Sequence, residues 1–191
     1  MDEIVRPEPS LIKDVLPKEV FQELLTECLA MKKKNNQEEL GRFLLGNKEF
    51  PLLQQCFDLS LPKAREVFNS ETLLPTYALF CSYQGRKASL FKHKDNNACT
   101  YTLDMGVYHG INWGLFVEGK EYFTEPNEAV AFYGNDQEHW RGPFPDPEKN
   151  YVGVVFFHYA EPDHWYFTKG PTYMNVLNNT WTERRWRESQ G

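Results

Sequence analysis

Six short β-prone runs, crowded between residues 76 and 159, constrain this chain more than any other feature. They are Thr76–Tyr83, Ala88–Lys92, Thr100–Leu103, Trp113–Val117, Glu128–Tyr133 and Tyr151–Tyr159. Turn signals cut them apart: Gln84-Gly85, Asp95-Asn96-Asn97, Val117-Glu118-Gly119-Lys120 and Pro143-Phe144-Pro145-Asp146-Pro147. Many short strands at fairly even spacing leave few ways to bury both sheet faces and hide the edges. A sandwich, a barrel or a jelly roll satisfies that demand. Aromatic residues, at 15% of the chain, supply side chains large enough for such a core or for a lined pocket.

The residues before this region read differently. From Pro17 the apolar positions Val20, Leu24, Leu25, Cys28 and Leu29 follow the spacing of an amphipathic helix, with proline at its start. A second helical stretch is expected over Gln37–Leu45 and a third within Pro51–Val67. The expected architecture is a single α+β domain over residues 1–191. Residues 1–72 form mainly helical support, 73–168 a jelly-roll core, and 169–191 a C-terminal tail. At 191 residues the chain can bury a substantial core.

Charge and cysteine usage exclude several functions. A net charge of −6 opposes non-specific nucleic-acid binding, which needs a basic surface. The short basic runs Lys32-Lys33-Lys34 and Arg184-Arg185-Trp186-Arg187 read as solvated faces or chain ends. No apolar run approaches the roughly 20 residues that span a bilayer. Residues Met1–Arg6 lack the apolar segment of a signal peptide. Cys28, Cys56, Cys81 and Cys99 form no CxxC pair, so reduced thiols in a cytoplasmic protein are expected.

The chemistry resides in His93-Lys94-Asp95. On a strand or at its end, side chains at i and i+2 point to one side, so His93 and Asp95 can reach one ion. His139 follows 46 residues after His93 (139 − 93), at the mouth of a loop. A jelly roll can return its strand beside the first. Two imidazoles and one carboxylate occupy one face of Fe(II) and leave the other open, although Zn, Mn and Co accept the same donors. One carboxylate leaves such a site at net +1, suited to an anionic co-substrate. A dicarboxylate would need a second cation for its far end. Lys149, ten residues after His139, opens a strongly apolar strand and can supply a charge-assisted bond.

These residues resemble the HxD…H motif of the Fe(II)/2-oxoglutarate-dependent oxygenases, most of all the prolyl-hydroxylase-like branch. The likeness covers about Leu79–Tyr159. In that family the basic residue after the distal histidine binds the far carboxylate of 2-oxoglutarate, and Lys149 matches it. Tyr83, ten residues before His93, matches a tyrosine that hydrogen-bonds the same carboxylate. Gly114-Leu115-Phe116-Val117-Glu118-Gly119 occupies the place of a glycine-containing stretch common between the two metal segments. One departure stands out. The family often has a small hydroxylated residue two to four positions after the basic one, but Tyr151, Val152 and Gly153 follow here. Arg141 is therefore a rival cation.

The resemblance implies a double-stranded β-helix, Fe(II) on His93, Asp95 and His139, and consumption of 2-oxoglutarate and O2 with release of succinate and CO2. It implies hydroxylation of an unactivated C–H bond in an amino acid, a peptidyl residue or a small metabolite. Asp95 fills a position that halogenating relatives leave for chloride. Arg141, Trp113, Tyr101 and Trp140 are the candidate substrate residues, with Arg141 able to hold a substrate carboxylate. His109, His158 and His164 read as structural or surface residues. Two other readings fit the residues: a cupin-type metal dioxygenase without 2-oxoglutarate, and a non-catalytic jelly-roll binding domain. Neither a nucleic-acid nor a membrane partner is expected.

Overall fold

A computed structural model describes residues 5–148 and 150–169. Lys149 lies outside the described residues, as does everything after Lys169. The chain divides into two compact units, 1–160 and 161–191. The second contributes one described element, the helix Trp165–Thr168, whose first turn is capped by His164 Nδ1 accepting from the Tyr166 amide at 3.1 Å.

Among the described residues the first unit is built on ten strands. In chain order they are β1 (Ser10–Ile12), β2 (Arg42–Gly46), β3 (Leu74–Gln84), β4 (Leu90–His93), β5 (Tyr101–His109), β6 (Leu115–Val117), β7 (Lys120–Tyr122), β8 (Ala129–Phe132), β9 (His139–Arg141) and β10 (Tyr151–Ala160). Two helices, α1 (Lys18–Ala30) and α2 (Pro51–Val67), precede β3. The strands form a six-stranded sheet of order β1-β8-β5-β10-β3-β2 and a four-stranded sheet of order β4-β9-β6-β7. All pairings are antiparallel. From β3 onward the chain alternates between the sheets, apart from the β6–β7 hairpin within the smaller one, and the result is a double-stranded β-helix, or jelly roll.

Period-two alternation divides the core. Along β10, Val155, Phe157 and Tyr159 face one way, and β3 and β5 add Ala78, Phe80, Leu103 and Met105. There they meet Leu24 and Cys28 of α1 and Leu53, Cys56 and Phe57 of α2. Phe57 stacks on Phe157 with ring centroids 5.6 Å apart. The intervening positions Cys81, Tyr83, Val152 and Val154 form a separate cluster with Trp113 and Phe144. On β5 the same intervening positions are Thr102 and Asp104, both buried. The helices therefore brace one face of the large sheet, and the other face is left to line the interior of the roll.

One expected helix is absent. Residues 37–45 form a single 3-10 turn, Glu38–Leu40, followed by β2. Gly41 ends the turn at φ +55, and a Cβ there would lie 2.4 Å from the Ala88 amide nitrogen. Arg42–Gly46 then pairs along the outer edge of β3, from Arg42↔Tyr83 to Gly46↔Leu79. The hydrogen bonds of an exposed sheet edge outweigh a short, glycine-interrupted helical pattern. The expected helix within residues 51–67 is α2, with Pro51 in its first turn.

Candidate metal centre

β4 and β9 are neighbours in the smaller sheet, and their register sets His93 opposite His139. The two imidazole centroids are 4.2 Å apart. Asp95 follows β4 by two residues, and its amide donates to the Gly134 carbonyl at 2.8 Å, holding the segment after β4 against the loop before β9. A Cβ on residue 134 would lie 2.8 Å from Asp95 Oδ2 and 2.6 Å from Thr102 Oγ1. Glycine is required there by close approach.

Asp95 reaches both histidines: Oδ1 is 3.2 Å from His93 Nε2, and Oδ2 is 3.5 Å from His139 Nε2. One ligand atom from each of the three residues lies within 4.8 Å of the others. His139 Nδ1 donates to the Gln137 carbonyl at 2.9 Å, and His93 Nδ1 to the Phe91 carbonyl. Backbone acceptors on both Nδ1 atoms put the ligand lone pair on Nε2 and fix the ring planes. Phe132 meets His139 edge-on, with centroids 4.8 Å apart. Two nitrogen donors and one carboxylate, nearly sequestered from water, fit a divalent ion that keeps open positions, and no thiolate belongs to this set.

Within the protein alone, burial pushes the Asp95 carboxyl up, but the charges and hydrogen bonds of His139 and His93 outweigh it. The net result is a carboxyl well below the usual range. Burial pushes His139 down, yet the Asp95 charge and hydrogen bond leave it raised. His158, on β10 beside the site, is lowered to about 4, chiefly by burial.

Deeper in the roll lies a buried ion pair. Arg141 Nη2 donates to both oxygens of Asp104, at 2.8 and 3.1 Å, and Nη1 donates to the Trp113 carbonyl at 2.7 Å. The two side chains are 4% and 2% exposed. Burial raises the Asp104 carboxyl despite the neighbouring guanidinium. Arg141 is thus engaged from within by a carboxylate that offsets its charge. Trp113 joins it to Tyr83: the Arg141 Cζ is 5.3 Å from the Trp113 ring centroid, and Tyr83 meets that ring edge-on at 4.9 Å. The Tyr83 hydroxyl and Arg141 Nε are both buried, and among the described residues neither has a partner in good hydrogen-bond geometry, although the Cys81 thiol interacts with the Tyr83 hydroxyl. Arg141, Trp113, Tyr108, Phe123, Val152 and Val154 help line a narrow, open cleft. None of the three candidate metal residues lines it.

Two of the substrate candidates lie elsewhere. Trp140 alternates with His139 and Arg141 and faces outward, where it stacks on Phe116 at 5.2 Å beneath Lys92 Nζ at 4.5 Å. Tyr101 alternates with Thr102 and packs against Phe68 and Tyr133 at 5.1 and 5.4 Å. Sequence reasoning missed Asp104, because it ended the β5 run at Leu103. The alternation Thr102, Leu103, Asp104, Met105 marked a polar position on an otherwise apolar strand.

No family model matches the chain, and no curated protein is significantly similar to it in sequence. Solved structures do match. The non-heme α-ketoglutarate-dependent epimerase SnoN from nogalamycin biosynthesis aligns with a TM-score of 0.64 at 8% identity, over 80% of this chain and 78% of that one. HygX from Streptomyces hygroscopicus, solved with nickel, 2-oxoglutarate and hygromycin B, gives 0.64 at 9% identity, over 81% and 83%. A Pseudomonas putida prolyl-4-hydroxylase gives 0.56 at 15% identity, over 78% and 91%. At these identities the likeness is one of fold.

Proposed function

We propose that this chain is an Fe(II)- and 2-oxoglutarate-dependent oxygenase that hydroxylates a C–H bond of a small molecule or peptidyl residue. One observation carries the reading most. His93, Asp95 and His139 converge inside a double-stranded β-helix with both Nδ1 atoms tied to backbone carbonyls. In this reading Nε2 of each histidine and the Asp95 carboxylate hold the iron. Bound there, iron with 2-oxoglutarate and O2 supplies the oxidation, with succinate and CO2 as coproducts. The protein fixes donor geometry and excludes water. SnoN is an α-ketoglutarate-dependent epimerase and HygX was solved with 2-oxoglutarate bound, which favours this co-substrate over a cupin-type reaction without it.

The far carboxylate of 2-oxoglutarate is assigned to the Tyr83 hydroxyl and Lys149. Tyr83 brings a buried donor with no well-formed partner among the described residues. Arg141 contributes less charge here, because Asp104 offsets it. Arg141 and Trp113 remain candidates for shaping the interior, whereas Trp140 and Tyr101 are set aside.

Anaerobic titration of the full chain with Fe(II) and then 2-oxoglutarate tests the assignment through the metal-to-ligand charge-transfer absorption of a chelated 2-oxo acid. A succinate-release screen over amino acids and prolyl peptides follows. His93→Ala and Asp95→Ala should abolish both signals, and normal turnover in either variant overturns the proposal. Lys149→Ala should raise the apparent 2-oxoglutarate KM. Unchanged activity there favours a reaction that needs no 2-oxoglutarate.

A further inference from the structure

Asp95 belongs to a second group of ligand-type side chains. One ligand atom each from Asp95, Cys99 and His158 lies within 4.8 Å of the others. Cys99 closes the 3-10 turn Asn97–Cys99, four residues after Asp95, and His158 projects from β10. Cys99 is 1% and His158 4% exposed.

Neighbouring groups prepare both for donation. The Thr102 hydroxyl donates to the Cys99 carbonyl at 3.3 Å, so its oxygen accepts from His158 Nδ1–H at 3.0 Å. That leaves the lone pair on His158 Nε2. Asn96 Nδ2 donates to the Tyr77 oxygen at 3.3 Å, which turns the Tyr77 hydrogen toward Cys99 Sγ, 2.8 Å away. The Cys99 S–H in turn donates to Asn96 Oδ1 at 3.9 Å, and metal binds the thiolate left when that proton departs.

We propose that Asp95, Cys99 and His158 form a second metal site, which shares Asp95 with the first and takes Zn2+ in preference to Fe(II). Thiolate, imidazole and carboxylate are the donors zinc accepts, with a fourth position for water. The thiolate biases the set away from hard cations. On binding, the Cys99 S–H bond breaks, its proton passes to solvent, and the sulfur keeps the electron pair as the metal bond forms. Both sets draw on the single Asp95 carboxylate, so occupancy of either position constrains the other.

The test uses metal alone and does not rest on the oxygenase reading. Metal-free full-length protein is titrated anaerobically with Co(II), following the near-ultraviolet thiolate-to-cobalt charge-transfer band. The band should appear, be displaced by Zn2+ and persist in His93→Ala, a variant that disables only the first set. Cys99→Ser should lose it. His158→Gln should weaken cobalt binding at the thiolate by roughly tenfold or more. Absence of the band at saturating Co(II), or its survival in Cys99→Ser, overturns the proposal. If Cys99→Ser does not fold, His158→Gln decides, and unchanged cobalt affinity refutes the site.

Discussion

Removing Asp104 while leaving Arg141 should be among the most damaging single changes in the roll. Arg141 is 4% exposed at its side chain, so water cannot replace the lost carboxylate without rearrangement. Nη2 would lose both acceptors, and Nη1 would keep only the Trp113 carbonyl. Breaking one half of a buried pair costs about 3–5 kcal/mol, because a charge remains without compensation. For a chain of this length each kcal/mol moves Tm by about 2–4 °C, so Asp104→Ala should melt about 6–20 °C lower. The double variant Asp104→Leu/Arg141→Met removes both charges and replaces them with apolar volume. It should lose less than Asp104→Ala alone, apart from about 1 kcal/mol for the orphaned Trp113 carbonyl. Urea unfolding of wild type, Asp104→Leu, Arg141→Met and the double variant closes the cycle. Additive losses, or an Asp104→Ala cost below about 1 kcal/mol, would refute the view that the pair acts as one neutral unit.

Further outcomes follow from other contacts. Tyr83→Phe deletes a buried hydroxyl with no well-formed partner among the described residues, so the metal-free protein should be unchanged or stabler by up to about 3 kcal/mol, while 2-oxoglutarate affinity falls. A clear loss of stability in chemical denaturation would show that the hydroxyl has a structural partner. Gly134→Ala places a methyl 2.8 Å from Asp95 Oδ2 and should weaken metal binding by roughly 10–100-fold, read by competitive chelator titration. Burial pushes the Cys81 thiol up to about 11 from 9.0. The unfolded chain therefore loses this proton first. Stability is fully present below pH 9 and falls by about 3 kcal/mol as pH rises to 11. Urea midpoints at pH 8 and pH 10.5 should differ less in Cys81→Ala than in wild type; equal pH slopes would remove Cys81 as the cause.

What the sequence disclosed and what it hid follow from the range of the interactions. The strands around β3, β5, β8 and β10 were legible because each carries its own alternation and is bounded by turn residues. β2 was not, because its pairing partner β3 lies some 40 residues downstream and its local pattern is compatible with a helix turn. β9 has only three residues, too short for any periodicity, yet it carries both His139 and Arg141. The spacing of His93 and Asp95 was readable within three residues, and the structure places His139 with them through the β4–β9 register.

Arg141 illustrates the harder limit. Two residues beyond a metal-type histidine, it reads as a spare cation aimed at an anionic ligand. Its partner, Asp104, sits 37 residues earlier on the opposite sheet. No local signal joins the two, and only closure of the roll turns a candidate ligand-binding charge into half of an internal pair. The same closure sets Cys99 and His158, 59 residues apart in sequence (158 − 99), beside Asp95. A cysteine without a CxxC partner and a histidine between aromatic residues each look inert alone. Their joint chemistry arises from β10 running next to β5, which places His158 opposite Thr102 in register. In such a fold, the carboxylates and thiols facing the inside of the roll are where sequence reading fails first and where function is most economically placed.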